Sequence, residues 1–193
     1  MKRLAEKMLA IDRRWIFLFI ALAVAIPMFV KLVFVVRSSP IVQSIYNKIE
    51  SLPEGSAVLI SYDYGPSTVP ENQPMADAVV RHCLIKGHRV YLMALWATGE
   101  AQANETIEKV IKPEFPQKRY GIDWIQLGFK AGGQGLINAI FNDFKGMFNT
   151  DAYGADINNF PMMGNIRGLK DFQLIVCIES GRPGIKEWIQ FAG

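Results

Sequence analysis

Asp63 and Glu179 are the side chains best placed by type and position to do chemistry, because each closes a short apolar run of the kind that forms a buried strand. Two carboxylates at neighbouring strand ends repel each other when both are ionised, so one has its pKa raised and holds a proton. Such a pair serves as acid and base or grips a metal ion. The competing reading is structural: Asp63 caps the loop that follows it, and Glu179 pairs with Arg182 or Lys130.

Other candidates stand at equivalent places. Thr98 and Glu100 follow the second apolar run, Lys130 the third, and Ser180 and Arg182 the fourth. The loop Gly132-Gly133-Gln134-Gly135 puts glycines where a strand turns into a helix. There, backbone N–H groups and the helix dipole attract an anion. It lacks the spacing of a Walker loop or a dinucleotide fingerprint, and tight-turn glycines without a ligand are the better account of it. His82 and His88 stand apart from these positions and from any Gly-x-Ser-x-Gly frame, which leaves a Ser-His-Asp arrangement without support. Cys83 and Cys177 lie among apolar neighbours and read as two buried thiols, with no zinc-type spacing around them. No cofactor is specified by these motifs.

The elements that must position these residues alternate regularly. Ala57 to Tyr62, Arg89 to Trp96, Asp123 to Phe129 and Phe172 to Ile178 read as strands. Helices are expected from Pro74 to about Gly87, over Glu100 to Ile111, after Gly135, and over Ile185 to Phe191. Continuous apolar strands alternating with helices predict an open, mainly parallel three-layer α/β sheet of the Rossmann-like or flavodoxin-like kind. In such sheets ligands bind beyond the carboxyl ends of the strands, where all the candidates above fall. Asn149 to Asp171 is a loop of about 23 residues, far beyond the usual two to six, and its Tyr153, Phe160, Met162 and Met163 suit a lid, a docking surface or a cover for the sheet itself.

Ahead of this domain runs Trp15 to Val36, apolar except for Lys31 and about 22 residues long, which predicts one transmembrane helix. A cleaved signal peptide ending at Ala23-Val24-Ala25 is the alternative, and retention as a signal-anchor is favoured because the apolar run continues past that site. Lys2, Arg3, Lys7, Arg13 and Arg14 precede the run, so the positive-inside rule predicts a cytoplasmic N-terminus and a periplasmic or extracytoplasmic domain. The expected organisation is a basic tail over 1–14, the span over 15–36, an amphipathic connector helix within 37–56, and the α/β domain over 57–193, continuing into a longer chain. Seven of the 21 basic and two of the 18 acidic residues lie up to Arg37, leaving 14 and 16 for the remainder. That balance excludes a nucleic-acid-binding field.

The run Ser61-Tyr62-Asp63-Tyr64-Gly65-Pro66-Ser67-Thr68, with Pro74-Met75-Ala76 and Glu187-Trp188-Ile189-Gln190, resembles a family of bacterial membrane-anchored proteins with no assigned activity. The resemblance implies a bacterial inner-membrane location and a longer parent chain, and assigns no residue a role. Two functions are then expected. One is a membrane-anchored binding or scaffolding component of an envelope assembly, with the lipid bilayer and envelope proteins as partners. The other is a membrane-tethered Rossmann-like enzyme or a binder of nucleotide or other anionic ligands, using the strand-end carboxylates and the Gly132–Gly135 loop.

Overall fold

The structure is a computed structural model that describes residues 12–29 and 38–192. The chain divides into two compact units, Met1–Val42 and Gln43–Gly193. In the first, helix α1 (Arg13–Phe29) contains Pro27, and none of its residues is buried.

This helix corrects the membrane expectation. Among the described residues no helix is long and apolar enough to cross a membrane. The remainder of the expected span, 30–36, and the tail 1–11 lie outside the described residues. With the span go the inferences built on it: the signal-anchor, the cytoplasmic N-terminus and periplasmic domain, the inner-membrane location, and the lipid bilayer and envelope proteins as partners.

Helix α2 (Pro40–Glu50) leads into the sheet unit, its Val42 amide donating to the Ser39 hydroxyl. Glu50 at its end accepts from Lys86 at 3.0 Å and pairs with His82 at 2.8 Å, which holds its carboxyl below the usual range. Four parallel strands follow: β1 (Ala57–Asp63), β2 (Arg89–Ala94), β3 (Trp124–Phe129) and β4 (Leu174–Glu179), in the order β3-β2-β1-β4. Helices α3 (Val69–Ile85) and α4 (Gly99–Thr106, continued by a π turn at Ile107–Ile111) connect the first three. Helix α5 (Gly133–Asn142) and the short α6 (Phe144–Met147) begin the return to β4, and α7 (Ile185–Ala192) follows it.

Strand alternation sorts the core into two layers. Val58, Ile60 and Tyr62 face α3 and α4, packing with Ala76, Val80, Cys83 and Ile107. Ala57 and Leu59 face the other way, toward Leu136, Ile140, Phe144 and Trp188. The sheet is therefore covered on both faces. The chain steps outward from β1 to β3 on one side, then crosses back over the whole sheet to β4. That crossing explains the long 149–171 segment. It spans three strand spacings, about 14 Å, and lays Ile157, Met162, Met163 and Leu169 onto the second layer as core residues. It is a cover, not a lid.

Candidate functional site

The reversal of strand order places the topological switch point of the sheet at the carboxyl ends of β1 and β4. Their register sets Asp63 beside Glu179 and Ser61 beside Cys177, so all four side chains share the α5/α7 face. Asp63 is fully buried. Its Oδ1 accepts from the Leu95 amide at 2.7 Å and its Oδ2 from the Ser61 hydroxyl at 2.7 Å. Cys177 Sγ lies 3.4 Å from both Asp63 Oδ2 and Glu179 Oε2, and the thiol has one proton to offer between them. Burial raises the Asp63 pKa in spite of these donors. Burial, then the two neighbouring carboxylates, push the Cys177 thiol well above its ordinary range. A protonated thiol is not a nucleophile, so this cluster stores protons and acceptors without an activated attacking group.

Two aromatic residues and a glycine loop enclose the cluster. Gly181 packs so closely on Trp96 that a Cβ there would sit 2.8 Å from the indole ring. A Cβ on Gly184 would meet Glu179 Oε2 at 2.2 Å and the Gly181 carbonyl at 2.6 Å, so the Ser180–Gly184 loop lies flush over the Glu179 carboxylate. Trp188, only 4% exposed, directs its indole N–H toward the Asp63 carboxylate, outside strict hydrogen-bond geometry but near enough to favour the ionised carboxyl. Trp96 Nε1 is buried without a hydrogen-bond partner.

The other sequence candidates are spread around this centre. Ser180 and Arg182 are exposed on the loop, and the Ser180 amide donates to the Asp63 carbonyl. Arg182 acts electrostatically on Glu187, and neither it nor Lys130 forms an ion pair with Glu179 among the described residues. Lys130 instead carries its ammonium 5.9 Å from the Phe148 ring centroid. Thr98 Oγ1 donates to the Tyr64 carbonyl at 3.0 Å. Glu100 accepts from the Phe129 amide at 3.0 Å, which ties α4 to the end of β3.

The glycine loop opens α5. Gly133 and Gly135 look onto open space, and Gly132 takes a positive φ of 145°. An acid already comes to this helix start from inside the protein: Glu187 accepts from Gln134 Nε2 at 3.3 Å and caps its own helix through the Gly184 amide at 2.9 Å, which lowers its pKa. The preference of the helix terminus for negative charge is met internally.

Ser61, Cys177, Trp96, Trp188 and Glu187 are the members that sequence reasoning missed. The i, i+2 spacings of Ser61 with Asp63 and of Cys177 with Glu179 were the available signal, since both pairs must share a strand face. Among the described residues no group of three or more His, Cys, Asp or Glu could hold a metal ion. His82 is occupied by Glu50, and His88 Nε2 lies 3.2 Å from the Ile49 carbonyl.

An open cavity of about 500 Å³ lies at the opposite, amino end of the strands, lined by residues including Glu54, Leu84, Lys86, Phe115 and Lys118. Helix C-termini meet there, and lysines near such ends offset the partial negative charge of the carbonyls. Lys86 is held by Glu50 and Lys118 lies 3.7 Å from Asp123, so the charges at this cavity are spent on the fold.

Topology and site together define a parallel α/β domain of Rossmann type with carboxylates and indole rings gathered at its switch point. Comparison with protein-family profiles, curated proteins and solved structures gives no match, so the resemblance to a membrane-anchored family gains no support.

Proposed function

We propose that the domain is a ligand-binding module that takes a compact molecule at the β1/β4 switch point, beneath the Ser180–Gly184 loop. The observation that carries this reading is the register of Asp63 against Glu179, with Cys177 within 3.4 Å of both and Trp96 packed on the covering loop. Binding is favoured over turnover, because the thiol is held protonated and both histidines are engaged elsewhere. Glu179 and the loop hydroxyl and guanidinium of Ser180 and Arg182 meet the ligand, while Asp63 fixes the strand ends under them. Thr98, Glu100 and Lys130 shape the rim.

Backbone amide NMR with a library of small metabolites tests this. A binder is expected to shift Gly65, Trp96 and the residues from Ser180 to Gly184 together. Shifts gathered instead around Gly87 and Phe115, at the other end of the strands, would sink the reading.

A further inference from the structure

We infer that the open side of β4 is an interface between two copies of this chain, joined edge to edge in antiparallel fashion into one eight-stranded sheet. Half of the backbone N–H and C=O groups of this outer strand point away from β1. No backbone group of the described residues outside β1 bonds to Leu174–Ile178. Outer strands that stay single are shielded by charge, proline, a bulge or an overlying loop. β3 has such a loop, for the Ala152 amide donates to the Gln126 carbonyl. By contrast, Leu174-Ile175-Val176-Cys177-Ile178 carries neither charge nor proline. Its register against β1 runs unbroken from Val58–Leu174 to Asp63–Glu179, whereas the β2/β3 register shifts between Leu92 and Met93.

Burial tells the same story. Leu174 and Val176 join the α3/α4 layer, and Ile175 and Cys177 the α5/α7 layer, yet all four are only half-buried. The helices that touch β4 on its two faces also leave apolar side chains exposed, Met75 on α3 and Ile185 and Ile189 on α7. A strand that fits beside β4 becomes part of both layers, so it must be uncharged along this run and apolar on both faces. β4 is itself such a strand, and its Ile and Val suit a pleated, buried neighbour. A twofold axis through its middle, perpendicular to the sheet, lays Leu174–Ile178 against its own copy in the reverse direction. Each layer then continues into the same layer of the other copy, and the contact is isologous and closed. The flanking charges balance. At each end Lys170 and Asp171 of one copy approach Glu179 and Arg182 of the other, two positive groups and two negative.

The full chain is followed by analytical ultracentrifugation and amide hydrogen exchange over a dilution series from about 1 mM to about 1 μM, a range that brackets ordinary dissociation constants. A monomer–dimer equilibrium is expected, with the outward amides of Leu174–Ile178 exchanging at least about tenfold more slowly in the dimer. Ile175→Lys and Val176→Lys, one in each layer, bring like charges together across the axis. Each is expected to weaken the dimer at least about tenfold. The exchange series needs no variant, so it decides the matter even where a lysine unfolds the domain. A chain that sediments as a monomer throughout overturns the inference, and protected β4 amides in such a monomer assign the edge to another occupant. An assembly whose β4 amides exchange as fast as in the monomer overturns it as well, placing the contact elsewhere, as on the exposed apolar helix α1. Folded lysine variants that dimerise like the parent overturn the β4 pairing.

Discussion

The two outer strands of the sheet end in opposite ways. β3 is closed along its outer side: the Ala152 amide donates to the Gln126 carbonyl at 2.9 Å, and Ala152 packs against Gly128. Asp151 anchors that closure, accepting from the Tyr153 and Ala155 amides and from the Tyr120 hydroxyl at 2.6 Å. β4 pairs only with β1 among the described residues, and Leu174 to Cys177 are half-buried. Asp151 is buried and Glu179 half-buried, and Asp151 spends its hydrogen bonds on Tyr120 and on the turn of its own loop. Glu179 lies under a loop that rests on it through glycines. The difference separates an acid tied into the fold by three donors from one that the proposed function assigns to a ligand.

The sharpest way to break this comparison is Asp151→Ala. It strands a phenol and two amides and is expected to cost about 3 kcal/mol. In a domain of this size that lowers the melting temperature by roughly 6–12 °C in calorimetry. An unchanged melting temperature would mean that the β3 closure does not depend on Asp151.

On the β4 side, Gly184→Ala forces a methyl group against Glu179 and the Gly181 carbonyl, with an expected cost of about 1–2 kcal/mol in urea unfolding. Its Ser180, Gly181 and Arg182 amides should exchange with deuterium faster than in the parent chain, while those around Ala152 stay as they were. Equal acceleration at both places would erase the distinction.

The smallest effect is expected from Asp63→Asn, below about 1 kcal/mol at neutral pH, since the amide oxygen still accepts from Leu95. Its signature lies in the pH dependence. Burial raises the folded-state pKa of Asp63, so the folded chain binds the proton more tightly than the unfolded chain does. Its contribution to stability is present below the unfolded value of about 3.9 and is lost as pH rises through the folded value. Glu50, Glu114, Asp171 and Glu187 have lowered values and act in the opposite sense, losing stabilisation as pH falls. The difference in stability between parent and Asp63→Asn therefore isolates Asp63. A difference that stays flat from pH 3 to pH 8 would show an unshifted carboxyl.

The strands were legible because burial on both faces writes itself as unbroken apolar runs, as in Ala57 to Tyr62. The start of β4 was placed too early at Phe172, whose ring serves the core against Tyr91 and Phe144 while the ladder begins at Leu174. Trp15 to Val36 misled for a different reason. Hydropathy reports what surroundings side chains prefer, and among the described residues no helix is both long and apolar enough to cross a membrane. Asp63 and Glu179 were recognisable as strand ends, but their adjacency depends on β4 returning to β1, which no local pattern encodes. Trp96 and Trp188 were hidden because which indole comes to lie against the carboxylates and the covering loop is a property of packing.

The pairing of β1 with β4 also governs how the chain is made. The Ala57 amide donates to the Gln173 side chain, a partner 116 residues later in the chain. During synthesis β1 therefore emerges long before the neighbour that covers one of its sides, and it waits with an apolar strand edge open while β2 and β3 assemble on the other. A ribosome stalled before Gln173 would carry a three-stranded intermediate that attracts chaperones.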